Sequence, residues 1–370
     1  MAMTVHDIDR LVDSWAPKEL AWEKDNVGLQ CGDPMRVVRS LLVALDPSEA
    51  IVAESVRRSV DLIITHHPLL FRPVRKIDLR TSTGRVIQSL LAARISLLSA
   101  HTNLDASPFG TNAALAKVLK LTNASILHRP HALKRKIVTF VPAGAVDTVA
   151  EALSEAGAGR IGNYERCSFR SEGVGTFLGN DSSHPRVGVR HHLETVPEVR
   201  LEMIVDQWNL DHVLTALKAS HPYEEPAFDV VALENRNAEH GLGMIGDLAR
   251  PVALAAFLKT VKRQLGIPFV RISPGTKKPI KRVAVCGGAG GELLEEAVRQ
   301  GADLFITADV KYNVFHEAAG RIVVVDAGHF ETENPVVGVL ASRLRDEFHR
   351  RQERIVVRSA STPANPVRYV

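Results

Sequence analysis

The chain has 370 residues, 45% of them hydrophobic and 24% charged, with a formal net charge of +4. That length exceeds one compact core and predicts about two or three domains, while the composition is that of a globular protein that folds without covalent staples. Lys and Arg are scattered apart from short clusters at 134–136 and 349–351, so nucleic-acid binding leaves no strong footprint. Cys31, Cys167 and Cys286 include no close pair, which argues against a disulfide framework or a thiolate zinc site. The N-terminus, with Asp7, Asp9, Arg10 and Asp13, has no apolar signal core, and no segment approaches a membrane span. A soluble, cytoplasmic protein is expected.

In chain order, Ser40–Leu45 reads as a strand. Asp46-Pro47-Ser48-Glu49 then reads as a helix start, with Asp46 as cap and Glu49 reaching back. Ile51, Val52, Ser55, Val56 and Ser59 follow at helical spacing, and Val60–Thr65 is the next strand. It stops at His66-His67-Pro68. A third strand, Ile95–Ala100, stops at His101-Thr-Asn-Leu-Asp105.

Residues 134–238 differ in character. A strand at Ile137–Val141, a helix at Val146–Ala156, strands at Gly173–Leu178 and Val199–Val205, a helix at Leu210–Ala219 and a strand at Ala227–Leu233 give the order β-α-β-β-α-β. That order predicts a split βαβ, ferredoxin-like α+β domain. Leu242–Gly246 and a helix at Ala253–Leu265 lead back to a second series: strand Val283–Cys286, a tight glycine turn at Gly287–Gly291, helix Leu293–Arg299, and strands Leu304–Thr307 and Ile322–Ala327. The last stops at Gly328-His329-Phe-Glu-Thr-Glu333.

The two outer series resemble each other. Residues 41–65 align without a gap onto 283–307 at an offset of 242, with identities at Val43/Val285, Glu54/Glu296, Val56/Val298, Arg57/Arg299, Asp61/Asp303, Leu62/Leu304, Ile64/Ile306 and Thr65/Thr307. The expected fold class is therefore α/β: duplicated β-α-β halves at 1–133 and 239–370 around an insertion at 134–238, with a mostly parallel sheet covered on both faces.

Strand ends are where parallel sheets place their chemistry. His66 and His67 point to opposite faces if their strand continues, but Pro68 lets the backbone turn so that both rings reach one site. Asp105 offers an oxygen ligand, with a turn or helix cap as its alternative role. His101 and Asn103 could orient a ligand through hydrogen bonds. His329 and Glu333 have the spacing of one helix face, although Pro335 predicts that the regular helix begins only near Asn334, and Glu331 is a competing carboxylate. Together His66, His67, Asp105, His329 and Glu333 exceed what one tetrahedral ion needs. The set suits two divalent ions roughly 3.5 to 4 Å apart that acidify water and clamp an oxyanion. Gly287–Gly291 lacks the spacing of a phosphate loop, His191-His192 reads as surface, and His221-Pro-Tyr-Glu-Glu-Pro226 reads as a rigid loop.

Four segments carry a resemblance: Lys24-Asp-Asn-Val-Gly-Leu-Gln-Cys-Gly32, Thr65-His-His-Pro-Leu-Leu-Phe71, His101-Thr-Asn-Leu-Asp105 and Gly328-His-Phe-Glu-Thr-Glu333. In combination they resemble the NIF-three-like family, whose members are often labelled GTP cyclohydrolase 1 type 2 homolog. The middle segment resembles the PII/CutA-like insertion of its longer members through Gly157–Tyr164, Gly173–Phe177 and His221–Glu225. The resemblance implies two divalent metal ions per subunit (zinc, iron or manganese) held by the metal ligands His66, His67, Asp105, His329 and Glu333, and a homohexamer ring with enclosed sites. It departs at Ala308, where the family has glycine, and at Asn313, where a histidine is usual; His316 lies a turn later. The function it implies is a metal-dependent hydrolase acting on a nucleotide or similar small molecule. The alternative is a non-enzymatic metal-handling or regulatory scaffold that senses a ligand through the inserted domain.

Overall fold

The computed structural model describes residues 2–130, 133–235, 237, 239–275, 277–362 and 365–368. Of the expected boundary residues, Met1, Ala238 and Val370 lie outside these. The chain separates into two compact units, one formed by 1–129 with 239–370 and the other by 130–238. No helix among the described residues is long and apolar enough to cross a membrane.

The strands in chain order are β1 (Gly28–Cys31), β2 (Ser40–Ala44), β3 (Leu62–Thr65), β4 (Ser96–Ser99), β5 (Thr122–His128), β6 (Lys134–Pro142), β7 (Phe169–Leu178), β8 (Leu193–Asp206), β9 (Phe228–Leu233), β10 (Leu242–Val252), β11 (Arg271–Ile272), β12 (Ile280–Ala289), β13 (Leu304–Ala308), β14 (Val323–Asp326) and β15 (Val356–Ser359). The larger unit holds two sheets, ordered β1-β4-β3-β2-β15 and β11-β14-β13-β12-β10-β5.

The duplication is visible in strand register. Leu41 pairs with Leu62 and Val43 with Ile64, while Val283 pairs with Leu304 and Val285 with Ile306, each pair displaced by the same 242 residues. The match extends to hydrogen bonds. The Asp61 carboxylate accepts the backbone N–H of Arg39 (2.9 Å) and Ser40 (3.2 Å), and the Asp303 carboxylate accepts those of Lys281 (2.9 Å) and Arg282 (2.8 Å).

The mostly parallel sheet expected from the sequence is found in the first sheet and corrected in the second. β2, β3, β4 and β15 are parallel with β1 antiparallel at the edge, whereas β5, β10 and β11 are antiparallel additions around the parallel β12-β13-β14. β11 is two residues long and β5 opens on exposed Thr122 and Asn123, so their periodicity is weak in the sequence.

Both faces of each parallel trio are buried, as a near-continuous apolar run requires. On one face of the first sheet Leu41, Leu62, Ile64 and Leu98 pack with Leu340, Leu344 and Phe348 of the helix Pro335–Arg350. On the other, Leu42, Ile63 and Leu97 meet Ile51, Val52, Val86 and Leu90. Each such side chain contributes about 1.5–3 kcal/mol on burial. This anchors the carboxyl ends of the strands.

Asp46 is not the expected helix cap. The helix Glu49–Arg57 is capped by Ser48, whose hydroxyl accepts the Ile51 N–H, and this frees Asp46 for another partner. The same helix supplies Glu54, which accepts hydrogen bonds from the backbone and hydroxyl groups of Ser361 and Thr362. Burial disfavours its charge, yet these bonds outweigh burial and hold Glu54 down at about 2. A carboxylate depressed on folding stabilises fully above its unfolded value and loses that contribution as pH falls. Glu54→Gln is therefore expected to destabilise the protein at pH 7 by about 1–3 kcal/mol. Chemical denaturation should show the deficit narrowing below about pH 4.5 and vanishing near 2.

In the smaller unit the four strands are ordered β7-β8-β6-β9, and all neighbours are antiparallel. The helices Val146–Glu155 and Leu210–Ser220 cover one face, where Val149, Leu153, Val213 and Leu217 pack on Ile137, Val141, Leu201 and Met203. His191 and His192 are exposed beside Asp181 and Glu194. In the loop after the second helix, the buried His221 accepts the Tyr223 N–H at Nδ1 and donates from Nε2 to the Phe140 carbonyl.

Candidate metal centre

The turn after β3 is closed by Thr65, whose hydroxyl donates to the His67 carbonyl at 2.7 Å. Both imidazoles then lie on one site, with ring centroids 5.0 Å apart. β4 leads into a single helical turn, Thr102–Asp105, that brings Asp105 Oδ1 to 3.6 Å from His66 Nε2. Asp105 caps no helix: Gly110 occupies the cap of the helix Thr111–Val118, and the Thr111 hydroxyl donates to the Asp105 carboxylate.

From the other half, helix begins at His329 rather than near Asn334. His329–Glu333 is helical and continues through Asn334 into Pro335–Arg350. Pro335 removes only its own N–H, and the Asn334 N–H still reaches the Phe330 carbonyl at 2.8 Å. His329 and Glu333 thus share a helix face, and Glu331 turns away to accept from Asn365.

Glu333 is the centre of the arrangement. Its Oε2 lies 2.9 Å from His67 Nε2 and 3.1 Å from His329 Nε2, while Oε1 lies 3.8 Å from His66 Nε2. The five sequence candidates therefore converge, divided into His67 and His329 on one carboxylate oxygen and His66 with Asp105 toward the other. His101 joins them as a fourth imidazole, 5.1 Å from the His66 ring and 5.5 Å from that of His67.

The outward nitrogens explain why the inward ones are aimed. His66 Nδ1 donates to the Ala100 carbonyl (2.9 Å), His67 Nδ1 to Asp46 (2.7 Å), His329 Nδ1 to Asp309 (2.6 Å) and His101 Nδ1 to Asp25 (2.9 Å). Each imidazole has its tautomer and orientation set from behind, leaving Nε2 for the centre. Among the described residues, the buried His66 Nε2 and Glu333 Oε2 have no hydrogen-bond partner of acceptable geometry. Orphaned buried polar atoms are costly unless an ion or water completes them.

Electrostatically the site demands positive charge. Burial opposes a charged His67, but Asp46 and Glu333 push it up to about 10. Glu333 and Asp309, against burial, push His329 up to about 9. Burial likewise opposes a charged Glu333, yet the three facing imidazoles hold it well below the carboxylate range, while burial raises Asp105.

Asp25 and Asp309 carry no signal as imidazole partners in the sequence, and Asp46 reads there only as a helix cap. Each sits in a loop where an acidic residue has an ordinary capping or surface role, so no local signal marks it. Gly288 was read as part of a turn, but it lies in β12 at φ +62°, and a Cβ there would stand 2.1 Å from Glu333 Oε1. Of the departures, Ala308 is buried at the end of β13, and Asn313 is exposed and bonded to Glu317.

The chain as a whole matches known proteins in sequence and fold. The family model described as Duf34/NIF3 (NGG1p interacting factor 3) matches residues 3–366. The chain belongs to the Duf34/NIF3 family. Among Duf34/NIF3 relatives named GTP cyclohydrolase 1 type 2 homolog, that of Listeria innocua is 36% identical over 92% of both chains. That of Bacillus subtilis is 38% identical over 89% of this chain and 90% of its own. A crystal structure of a Bacillus cereus protein related to NIF3 superposes with a TM-score of 0.87 at 35% identity, covering 100% of both chains.

Proposed function

We propose that this Duf34/NIF3 protein holds two divalent metal ions, one toward His67, His329 and Glu333 and one toward His66, Asp105 and Glu333, and hydrolyses a small molecule there. The observation that carries the reading is the orphaned pair, His66 Nε2 and Glu333 Oε2, buried among imidazoles whose other nitrogens are all engaged. Nitrogen and carboxylate donors of this kind suit zinc, iron or manganese. The chemistry such ions supply when bound is Lewis acidity toward water and toward a developing oxyanion. The chain's own residues orient the donors. Asp46, Asp309 and the Ala100 carbonyl fix three rings, and Glu333 spans the two donor groups.

The relatives' printed name points to GTP as one substrate to test. Metal-saturated protein offered GTP and a panel of phosphoesters should turn over at least one of them, and His67→Ala should abolish it; absence of turnover throughout counts against hydrolysis. Asp46→Asn and Asp309→Asn are expected to weaken metal binding about 10–100-fold by loosening the imidazoles they hold. Competition against a calibrated chelator reads this directly.

We further infer that residues 134–238 form the inserted ferredoxin-like, PII/CutA-like domain between the family domain's halves, 1–133 and 239–370. The β-α-β-β-α-β order and the β7-β8-β6-β9 sheet support this. A regulatory role for it is favoured by a cavity of about 750 Å³ in that unit, beside Tyr223, Glu198 and Arg200. Deleting the insertion should leave hydrolysis intact if it senses a ligand and change substrate access if it is a lid. Family resemblance also supports a homohexamer, whose check is a solution mass six times the 40.4 kDa chain.

A further inference from the structure

Beside His67 and His329 the larger unit carries a cleft of about 430 Å³. That volume lies in the range of small-ligand pockets and near its lower end, enough for one substituted ring system. Leu45, Phe269, Val270, Phe330, Pro366 and Val367 give it apolar walls. Its charged groups are four carboxylates, set against Arg271 and the imidazoles of His67 and His329.

Asp46, Asp309, Asp326 and Glu331 all line the cleft. Arg271 is the one cationic Lys or Arg side chain among the described lining residues, and it is committed. Its guanidinium is paired with Asp326 and donates to the Val310 carbonyl at 3.3 Å. Asp326 also accepts the N–H of Val310 and of Gly328 and is spent, and Glu331, only 9% exposed, gives one oxygen to Asn365. Asp46 and Asp309 differ. Each holds an imidazole with one oxygen, and the second oxygen of each accepts no hydrogen bond from a described residue.

A ligand entering this cleft meets apolar surface on its faces and two unfilled carboxylate acceptors at the edge nearest the imidazoles. An anionic group about 5 Å from one such carboxylate is opposed by roughly 3 kcal/mol at an effective dielectric near 20. An N–H donor at the same place gains a charge-assisted hydrogen bond. We propose that the cleft recognises the non-reacting part of the substrate, and that it takes a flat, uncharged or cationic ring bearing N–H donors while rejecting phosphate. A nucleotide would therefore present its ring here and keep its phosphates elsewhere. The proposal rests on the metal-centre reading for the role of the neighbouring imidazoles, but its ligand preference is set by the cleft's own side chains.

The test is a series of one shape and three charges: benzamidine, benzamide and benzoate, titrated calorimetrically into the full-length protein as purified and after chelation. Benzamidine should bind tightest and benzoate weakest, at least tenfold apart, in both preparations. Phe269 and Val367 are 62% and 59% exposed, so substitutions there spare the fold. Phe269→Ala should weaken benzamidine and benzamide about fivefold or more, and Val367→Lys should weaken benzamidine while strengthening benzoate. Benzoate binding as tightly as benzamidine in either preparation overturns the proposal, as does a series unmoved by both substitutions. Metal content measured on the same samples separates the two readings. Metal present in the protein as purified with a flat or reversed series sinks the cleft assignment alone, and the expected series from protein that holds no metal as purified and takes none up when it is supplied sinks the metal centre alone.

Discussion

Replacing Glu333 with glutamine is expected to strip the protein of both metal ions while leaving its fold in place. The substitution keeps the shape but removes the charge, and it turns one of two oxygens into a donor that faces an imidazole nitrogen. Because Oε2 stands within 3.1 Å of both His67 and His329, and Oε1 faces His66, no orientation of the amide satisfies both sides. A loss of about 100-fold or more in affinity is expected for each ion, since orienting partners alone are worth 10–100-fold. Elemental analysis after dialysis should read near zero per chain, with circular dichroism unchanged. His329→Ala is the control. Its ring lies on one side only, so it should cost one ion and spare the other. A Glu333→Gln protein that retains two ions would show that this carboxylate does not join the donor groups.

Gly288→Ala should act on the same carboxylate from behind. Gly288 sits at φ +62°, which a side chain adopts at a cost of about 1–2 kcal/mol. Its N–H donates to the Thr332 hydroxyl at 3.0 Å and its carbonyl accepts from the Thr307 hydroxyl at 2.9 Å, so the backbone is held from two sides and cannot simply rotate. The new methyl would fall 2.1 Å from Glu333 Oε1, and the carboxylate has to move. Metal affinity is expected to drop about 10–100-fold, as for a displaced ligand. Thermal unfolding should register a much smaller loss. An unchanged metal affinity would mean that the carboxylate has another seat.

Much of this site is legible in the sequence because apolar strands that end in imidazole or carboxylate are conspicuous. His66, His67 and His329 stand where Leu-Ile-Ile and Val-Val-Val runs stop, and the structure brings them together with Asp105 and Glu333. The repeat is equally legible, since Asp61 and Asp303 perform the same backbone-capping task 242 residues apart. What the sequence hides is tertiary. Asp46 follows a strand and precedes a proline, and local chemistry favours a helix cap; only the position of His67 makes it an imidazole partner. Gly288 reads as a turn because nothing local announces the carboxylate behind it. The antiparallel strands β5, β10 and β11 escape for a related reason, since their pairing partners lie up to 125 residues away and their own alternation is faint. Pro335 misleads in the opposite direction. It marks a helix start in isolation, yet here it sits inside a helix that begins at His329.

The central claim is that donors from both halves of the chain hold two cations. Protein purified without added metal should be assayed for metal content, and its crystals mapped by anomalous scattering. Two peaks per chain, sharing Glu333 and divided between His67 with His329 and His66 with Asp105, are the predicted result. A chain that takes up no divalent metal, or binds it away from Glu333, would contradict the account.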